Sequence, residues 1–312
     1  MKNILITGAL GHIGSSIISN LQKNQFKKIV LIDNFLTQRY SSLFFLSKKN
    51  NIKFYEYSIL DKNIEKLFND IDVVVHLAAI TDAANSFNKK TIIKKVNFDG
   101  TKKIIEYCSK HNCKLIFPST TSVYGTQNKQ VDENCTIEEL KPQSPYAEYK
   151  LKSELYLKKF SNMNKLNYVI LRFGTIFGFS KGMRFHTAVN KFCFQASLNQ
   201  PLTIWETAMN QKRPYLGVQD AVKCINFIIN KDIFDNQIYN IVSDNCTVSE
   251  IINIIKSYKK NIKINLVKTR IMNQLSYKVL SKKILKKGFK SKSNINLGIK
   301  ETINLLQGAN NA

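Results

Sequence analysis

Seven short runs of unbroken apolar character limit what this chain can fold into: KNILIT, KKIVLID, IKFYEY, DVVVHLAA, CKLIFPS, NYVILRF and QIYNIVS. Each has the length of one β-strand, and continuous rather than alternating apolarity is what a strand covered on both faces requires. The segments between the runs place apolar groups on one helical face, as Ile13, Ile17, Ile18 and Leu21 do after the first. Strand and helix in alternation predict an α/β fold, a doubly wound parallel sheet with helices on both sides. From about Gly174 the rhythm changes to a helix-like stretch (His186 to Leu198), a loop with Pro201 and Trp205, then Arg213 to Asp220 and a lysine-rich tail. Residues 1–173, rejoined by about 214–243, are expected to form the sheet domain. Residues 174–213 and 244–312 are expected to form a smaller C-terminal substrate-binding lobe at the sheet's carboxyl edge, where open α/β sheets bind ligands.

With 312 residues, 44% of them hydrophobic and 22% charged, the chain can bury a substantial core. No stretch approaches the roughly 20 apolar residues of a membrane span. The start, MKNILITGALGHIG, runs straight into glycines without a secretory cleavage pattern, so a cytoplasmic location is expected. Six cysteines form no CxxC and are expected as thiols; Cys108, His111 and Cys113 lie close together, but without a second ligand pair at zinc spacing no metal is expected.

Lysine and arginine number 47 against 22 acids, a formal charge of +25. Such a balance raises nucleic acid as a partner, yet arginine occurs only at 39, 172, 184, 213 and 270, and lysine is spread through the chain, densest at 256–263 and 278–292. Readers of nucleic acid lean on arginine forks in a localised stripe, so no nucleic-acid partner is expected. A positive field instead helps to gather an anionic small molecule.

The run Thr7-Gly8-Ala9-Leu10-Gly11-His12-Ile13-Gly14 comes directly after the first strand and opens a helix. Glycines there let the backbone turn tightly and present amide N–H groups and a positive helix end to a pyrophosphate. Asp33 closes the second run; its carboxylate can accept from both ribose hydroxyls and would repel a 2′-phosphate, which points to NAD, although Arg39 stands nearby. A Rossmann-type sheet is therefore expected.

The TGxxGxxG form of this turn resembles the extended short-chain dehydrogenase/reductase superfamily. Further matches occur in order along the chain: His76-Leu77-Ala78-Ala79, Asn97 in VNFDGT, PSTTSVYG from Pro118 to Gly125, Tyr146-Ala147-Glu148-Tyr149-Lys150, and Leu171-Arg172-Phe173-Gly174. The chain is most similar to the NAD-dependent nucleotide-sugar epimerase/dehydratase family over essentially its whole length. The resemblance implies that Gly8, Gly11, His12, Ile13, Gly14, Asp33, Asn34, Ser58, Ile59, Leu77, Ala78, Ala79, Asn97, Tyr146, Lys150 and Phe173 lie along NAD. Ser58 stands where the family often has an Asp that contacts adenine, a contact that Asp61 could make instead.

Tyr146 and Lys150 are four apart and share a helical face, so an ammonium near the phenol would lower a pKa that starts at about 10. Of thirteen tyrosines only Tyr146 has lysine at that spacing, and it comes after the strand that ends in Ser119, Thr120 and Thr121. By the resemblance Tyr146 is the general base and acid, Lys150 orients the nicotinamide ribose, and Thr120 bonds the reacting sugar oxygen. The implied chemistry is removal of a hydride from a sugar carbon, giving a keto-sugar whose fate depends on the residues beside Thr120. Dehydratases of the family carry an Asp-Glu pair directly after the threonine; here Thr121 and Ser122 occupy those places, which favours epimerisation.

By the same resemblance Arg213, in KRPYLGVQD, grips the substrate pyrophosphate, and Thr121, Tyr124 and Thr175 are substrate-side candidates; Lys191 and Arg184 are further candidates, either of them equally readable as a surface charge. Thr175 replaces a common Asn and can donate only one hydrogen. Tyr124, Trp205 and Tyr215 could face the ligand or simply pack. The expected activity is epimerisation of a nucleotide-diphosphate sugar at C4, for surface polysaccharide or glycolipid, by a homodimer. Alternatives are a dehydratase or decarboxylase using the same keto intermediate, an enzyme like UDP-sulfoquinovose synthase, which the stretch GMRFHTAVNKFCFQASLNQPLTIW also resembles, and a non-catalytic NAD-binding module.

Overall fold

All seven apolar runs become strands of one sheet in the computed structural model, which describes residues 1–44, 46, 51–125, 130–268 and 276–308. They are β1 (Asn3–Thr7), β2 (Lys28–Asp33), β3 (Ile52–Glu56), β4 (Val73–His76), β5 (Lys114–Thr120), β6 (Tyr168–Phe173) and β7 (Gln237–Ile241). Every pairing is parallel, in the spatial order β3-β2-β1-β4-β5-β6-β7. Strand order reverses between β1 and β4, which opens a crevice at the carboxyl edge of a Rossmann-type doubly wound sheet.

The strands read as unbroken runs because their alternate side chains enter two separate apolar layers. Ile4, Ile6, Ile29, Leu31, Val73 and Val75 join one layer, and Leu5, Val30, Ile32 and Val74 the other. Four helices cover these faces: α1 (His12–Ser19), α2 (Thr101–Lys110), α3 (Pro145–Asn164) and, later in the chain, Val218–Lys231. The first and last of them pack on one layer through Ile17, Ile18, Val222 and Ile225, and α2 and α3 on the other through Ile104, Ile105 and Leu157.

A third apolar cluster, with Phe177, Phe192, Ile204, Tyr215, Ile251 and Ile299, forms the lobe above the crevice. Its three-stranded sheet joins Thr175–Phe177, Lys212–Gly217 and Asp244–Thr247, and three helices (Ala188–Ser197, Val248–Tyr258, Ile295–Leu305) pack around it. The stretch expected as a loop around Pro201 and Trp205 forms a strand, Leu202–Trp205, paired in parallel with Ile264–Val267. Its alternation is the physical reason: Leu202 and Ile204 are buried, whereas Thr203 and Trp205 are half-buried. Residues 212–217 pair within the lobe, so the chain returns to the central sheet with the helix from Val218. Asp220, in the first turn of that helix, accepts from Ser243 Oγ (3.0 Å) and Ser293 N (2.7 Å) and ties the two regions together.

Candidate active site

A cavity of about 400 Å³ runs from the glycine turn after β1, past the carboxyl ends of β5 and β6, to Arg213 in the lobe. At its dinucleotide end Gly8 has φ +65°, and a Cβ there would lie 2.6 Å from Ala78 N, so only glycine lets the turn meet the segment after β4. Gly11 caps α1 and leaves the helix's first N–H groups facing the cavity, the arrangement that suits a pyrophosphate. Asp33 accepts from Leu10 N and Phe35 N, both at 3.0 Å, one on each oxygen. Each carboxylate oxygen keeps a lone pair for a ribose hydroxyl, so the residues present fit a dinucleotide. Arg39 lines the cavity beside Asp33; burial lowers its pKa and the carboxylate opposes that.

Gly8, Gly11, His12, Ile13, Gly14, Leu77, Ala79, Phe173, Tyr146 and Lys150 all line the cavity. Asp33, Asn34, Ser58, Ile59, Ala78 and Asn97 do not line it. Asn97 pairs with Ile80 in both directions, its Oδ1 accepting from Ile80 N and its Nδ2 donating to Ile80 O, each at 2.8 Å, and so fixes the segment after β4. Asn34 Oδ1 accepts from Leu36 N, Ser58 Oγ from Leu60 N and Asp61 Oδ1 from Asn63 N, all turn contacts, and Ile59 is buried. His12 is also buried, and its imidazole points to the lobe, where Nε2 donates to Gly178 O at 2.7 Å. Burial holds its pKa down at about 3.

His76 closes β4 in a hydrogen-bond chain with only one consistent proton arrangement. Thr101 Oγ1 donates to Asn97 O (2.7 Å), so it accepts from His76 Nε2–H (3.0 Å); Nδ1 then accepts from Thr7 Oγ1 (2.7 Å), which accepts from Ala78 N (3.2 Å). The neutral ring this requires agrees with a pKa lowered to about 3 by burial.

The reaction centre is built on α3. Ser144 caps it by accepting from Ala147 N (3.2 Å), and Pro145 fits the first turn, whose N–H needs no partner. Tyr146 therefore stands at the positive end of a 20-residue helix, an electrostatic environment that favours phenolate. Tyr146 lines the cavity together with Thr120 at the end of β5, and Thr120 Oγ1 accepts from Ser122 N at 3.1 Å. Burial raises the phenol's pKa, while the guanidinium of Arg184 and the Thr120 hydroxyl lower it.

Lys150 lies one turn along the same face, but its ammonium donates to Pro118 O at 2.8 Å and stands 4.6 Å from the Phe117 ring centre. Burial brings its pKa down to about 8 against the pull of Glu154. Behind it Glu154 forms a buried pair with Arg172 of β6, Nη2 to Oε2 at 2.7 Å, and accepts from Ser119 Oγ.

At the lobe end Thr175, Lys191 and Arg213 line the cavity; Lys191 Nζ donates to Thr203 O (3.2 Å) and an Arg213 Nη to Gln211 Oε1 (2.9 Å). Thr121 and Tyr124 do not line it. Thr121 Oγ1 donates to Phe173 O, and fully buried Tyr124 donates to Asn240 Oδ1 (2.9 Å) with its ring under Arg172, so both act from the core. Arg184, His186 and Asp82 line the cavity; of these the sequence offers Arg184 as a candidate, His186 lies in the stretch GMRFHTAVNKFCFQASLNQPLTIW without a role assigned, and Asp82 is unmarked. They arrive from loops, where neither period nor spacing announces a role.

The loop that carries Arg184 is fastened to the glycine turn. Ser180 Oγ donates to His12 O (2.8 Å), Gly182 N donates to Ser15 Oγ (2.9 Å), and a Cβ on Gly182 would lie 2.1 Å from Leu10 O. Asn190 holds both ends, accepting from Gly178 N (3.1 Å) and donating to Arg184 O (2.9 Å).

Residues 4–242 match the NAD dependent epimerase/dehydratase family. An uncharacterized UDP-glucose epimerase of Bacillus subtilis is 30% identical over 263 residues, 81% of each chain. A dTDP-D-glucose 4,6-dehydratase of Dictyostelium discoideum is 32% identical over 78% of this chain and 59% of its own. Among solved structures, a Y149F mutant of UDP-glucuronic acid 4-epimerase from Bacillus cereus, in complex with UDP-4-deoxy-4-fluoro-glucuronic acid and NAD, superposes with a TM-score of 0.89 at 25% identity, covering 98% of this chain and 99% of that one. Fold, glycine turn and family match agree: the chain belongs to the NAD dependent epimerase/dehydratase family.

Proposed function

We propose that the protein interconverts a nucleotide-diphosphate sugar and its C4 epimer with NAD held at the glycine turn. The observation that carries this is the placement of Tyr146 and Thr120 together at the sheet's carboxyl edge, in the same cavity as Gly8, Gly11 and Gly14. NAD, when bound, supplies the hydride acceptor and donor. Tyr146 takes the proton of the sugar hydroxyl and gives it back, while Thr120 holds the same oxygen in place. Lys150, anchored by Pro118 O, is placed for the nicotinamide ribose, and Arg213 and Lys191 for the substrate diphosphate. The positions after Thr120 hold Thr121 and Ser122, so no carboxylate stands there to drive loss of water.

Incubation of the purified protein with UDP-, dTDP-, GDP- and CDP-sugars, with products identified by NMR and mass, tests the proposal. An isomer of unchanged mass is expected, and Tyr146→Phe is expected to lower turnover by at least about 10²-fold while keeping bound NAD. Products lighter by water or carbon dioxide, or full activity in the variant, would overturn it.

The protein is further taken to be a cytoplasmic homodimer paired through α2 and α3. In support, α3 exposes Leu155 and Met163, and the Phe98, Tyr149, Tyr156 and Phe160 rings line up beside them.

A further inference from the structure

Residues 251–300 hold thirteen lysines, Arg270 and not one aspartate or glutamate, so +14 of the chain's net +25 falls in about one sixth of its length. The lysines have two settings. Near the edge of the central sheet Lys283 donates to Gln237 Oε1 (2.8 Å) and Lys287 pairs with Asp235 (2.9 Å). At the outer end of the lobe Lys256, Lys260 and Lys263 are exposed and Lys259 is half-buried, and among the described residues none of the four takes part in an ion pair. Of the acids on neighbouring elements, Glu250 is bound into the capping box at the far end of the helix Val248–Tyr258. Glu206 follows Trp205, the register partner of Val267, and so stands level with Lys268, and Glu301 lies on the helix Ile295–Leu305.

Exposed apolar side chains stand among these lysines. Ile264 and Leu266 lie in register with Leu202 and Ile204 of the lobe's core. Register partners in a parallel pair point to the same face of the sheet, so all four share the apolar face. Leu202 and Ile204 are 0% and 1% exposed, yet Ile264 and Leu266 are 38% and 52% exposed, so that face runs on past its cover. Tyr258, also exposed, is fixed at the end of its helix by donating to Asn296 Oδ1 (2.7 Å). Two ordinary roles account for some of the lysines: cations suit a helix C-terminus, and lysine guards a strand edge against pairing. Neither accounts for Ile264 and Leu266, which a guarded edge would replace with polar residues.

An occupant must meet flexible cations and apolar side chains on one surface. The phosphates of a nucleic acid would answer the lysines and leave Ile264 and Leu266 in water, and residues 251–268 offer no arginine fork. An acidic protein would need carboxylates and an apolar groove matched to this pattern. A bilayer with anionic lipid answers both without any matching. Isoleucine, leucine and tyrosine enter the boundary between headgroups and acyl chains, and lysine stems lie along apolar matter with their ammonium groups at the phosphates. We infer that this end of the lobe, from Lys256 to Leu266, docks the protein on an anionic membrane surface. The inference stands apart from which sugar the cavity turns over.

Sedimentation of the full chain with vesicles of phosphatidylcholine alone, and of phosphatidylcholine with about one third phosphatidylserine, reads the docking. Binding to the anionic vesicles only is expected, falling as salt rises. Lys259→Gln, Lys260→Gln and Lys263→Gln together are expected to weaken it about 10²-fold, near fivefold for each lysine. Ile264→Thr with Leu266→Thr, which keeps every charge and suits a strand, is expected to weaken it at least about tenfold. Lys282→Gln, Lys286→Gln and Lys290→Gln remove equal charge near the sheet edge and should change binding by less than about threefold. Hydrogen exchange on the unaltered protein gives a second reading that needs no variant: anionic vesicles should slow exchange at 256–268. Absence of binding to anionic vesicles, an equal loss in the two lysine triples, indifference to the threonine pair, or protection confined to other segments would each overturn the docking. Tighter binding of duplex DNA, single-stranded RNA or polyglutamate through Lys259, Lys260 and Lys263 would assign the surface to another partner and overturn it as well.

Discussion

His76 and Tyr146 show how much rests on single residues. His76 matches a sequence motif, and in the structure it serves as a neutral strut between β1 and α2. Its folded pKa, about 3, lies below the ordinary 6.5, so the stability it contributes is present above pH 6.5 and is lost as the pH falls toward 3. Over that window unfolding takes up one extra proton per such histidine, about 1.4 kcal/mol per pH unit, and His12 behaves alike. His76→Asn is expected to be less stable at pH 7 and to lose stability less steeply between pH 6 and 4, as read by urea unfolding at each pH. Parallel curves for the two proteins would contradict this. At Tyr146 the sequence named the phenol and offered Lys150 as its cation. The four-residue spacing puts Lys150 on the same face, yet it cannot say where a flexible four-carbon stem ends, and that stem ends at Pro118 O. The cation whose charge lowers the phenol's pKa, Arg184, comes from a loop of the other lobe.

Among the elements, α3 carries both Tyr146 and Lys150, and its seat on the sheet is a buried ion pair. Arg172 and Glu154 are 3% and 2% exposed, and nothing local in either sequence neighbourhood marks them as partners, because they belong to different elements. Removing one charge would leave the other buried and alone, so Glu154→Leu is expected to destabilise the protein by about 3–5 kcal/mol. Adding Arg172→Met should recover most of that loss in denaturant melts; a double variant no more stable than the single would show that the pair's value is not electrostatic. The central strands were legible because both their faces are buried, which writes an unbroken apolar run. Leu202–Trp205 was not, because four residues after a proline leave too short an alternation to tell a half-buried strand from a loop.

For the whole molecule, the excess of positive charge and the pairing of chains are the open terms. Leu155 on α3 is 37% exposed and Met163 76%, on the face where the homodimer is proposed. Sedimentation is expected to report twice the 35.8 kDa chain mass, and Leu155→Glu to shift it toward one chain; a monomeric unaltered protein would sink the proposed pairing.

The loop from Gly178 to Arg184 belongs to the lobe by chain order and to the glycine turn by its bonds. Swinging the lobe outward on that side would have to break the ties to His12 and Ser15 at once. On that side the lobe is pinned to the glycine turn by these hydrogen bonds.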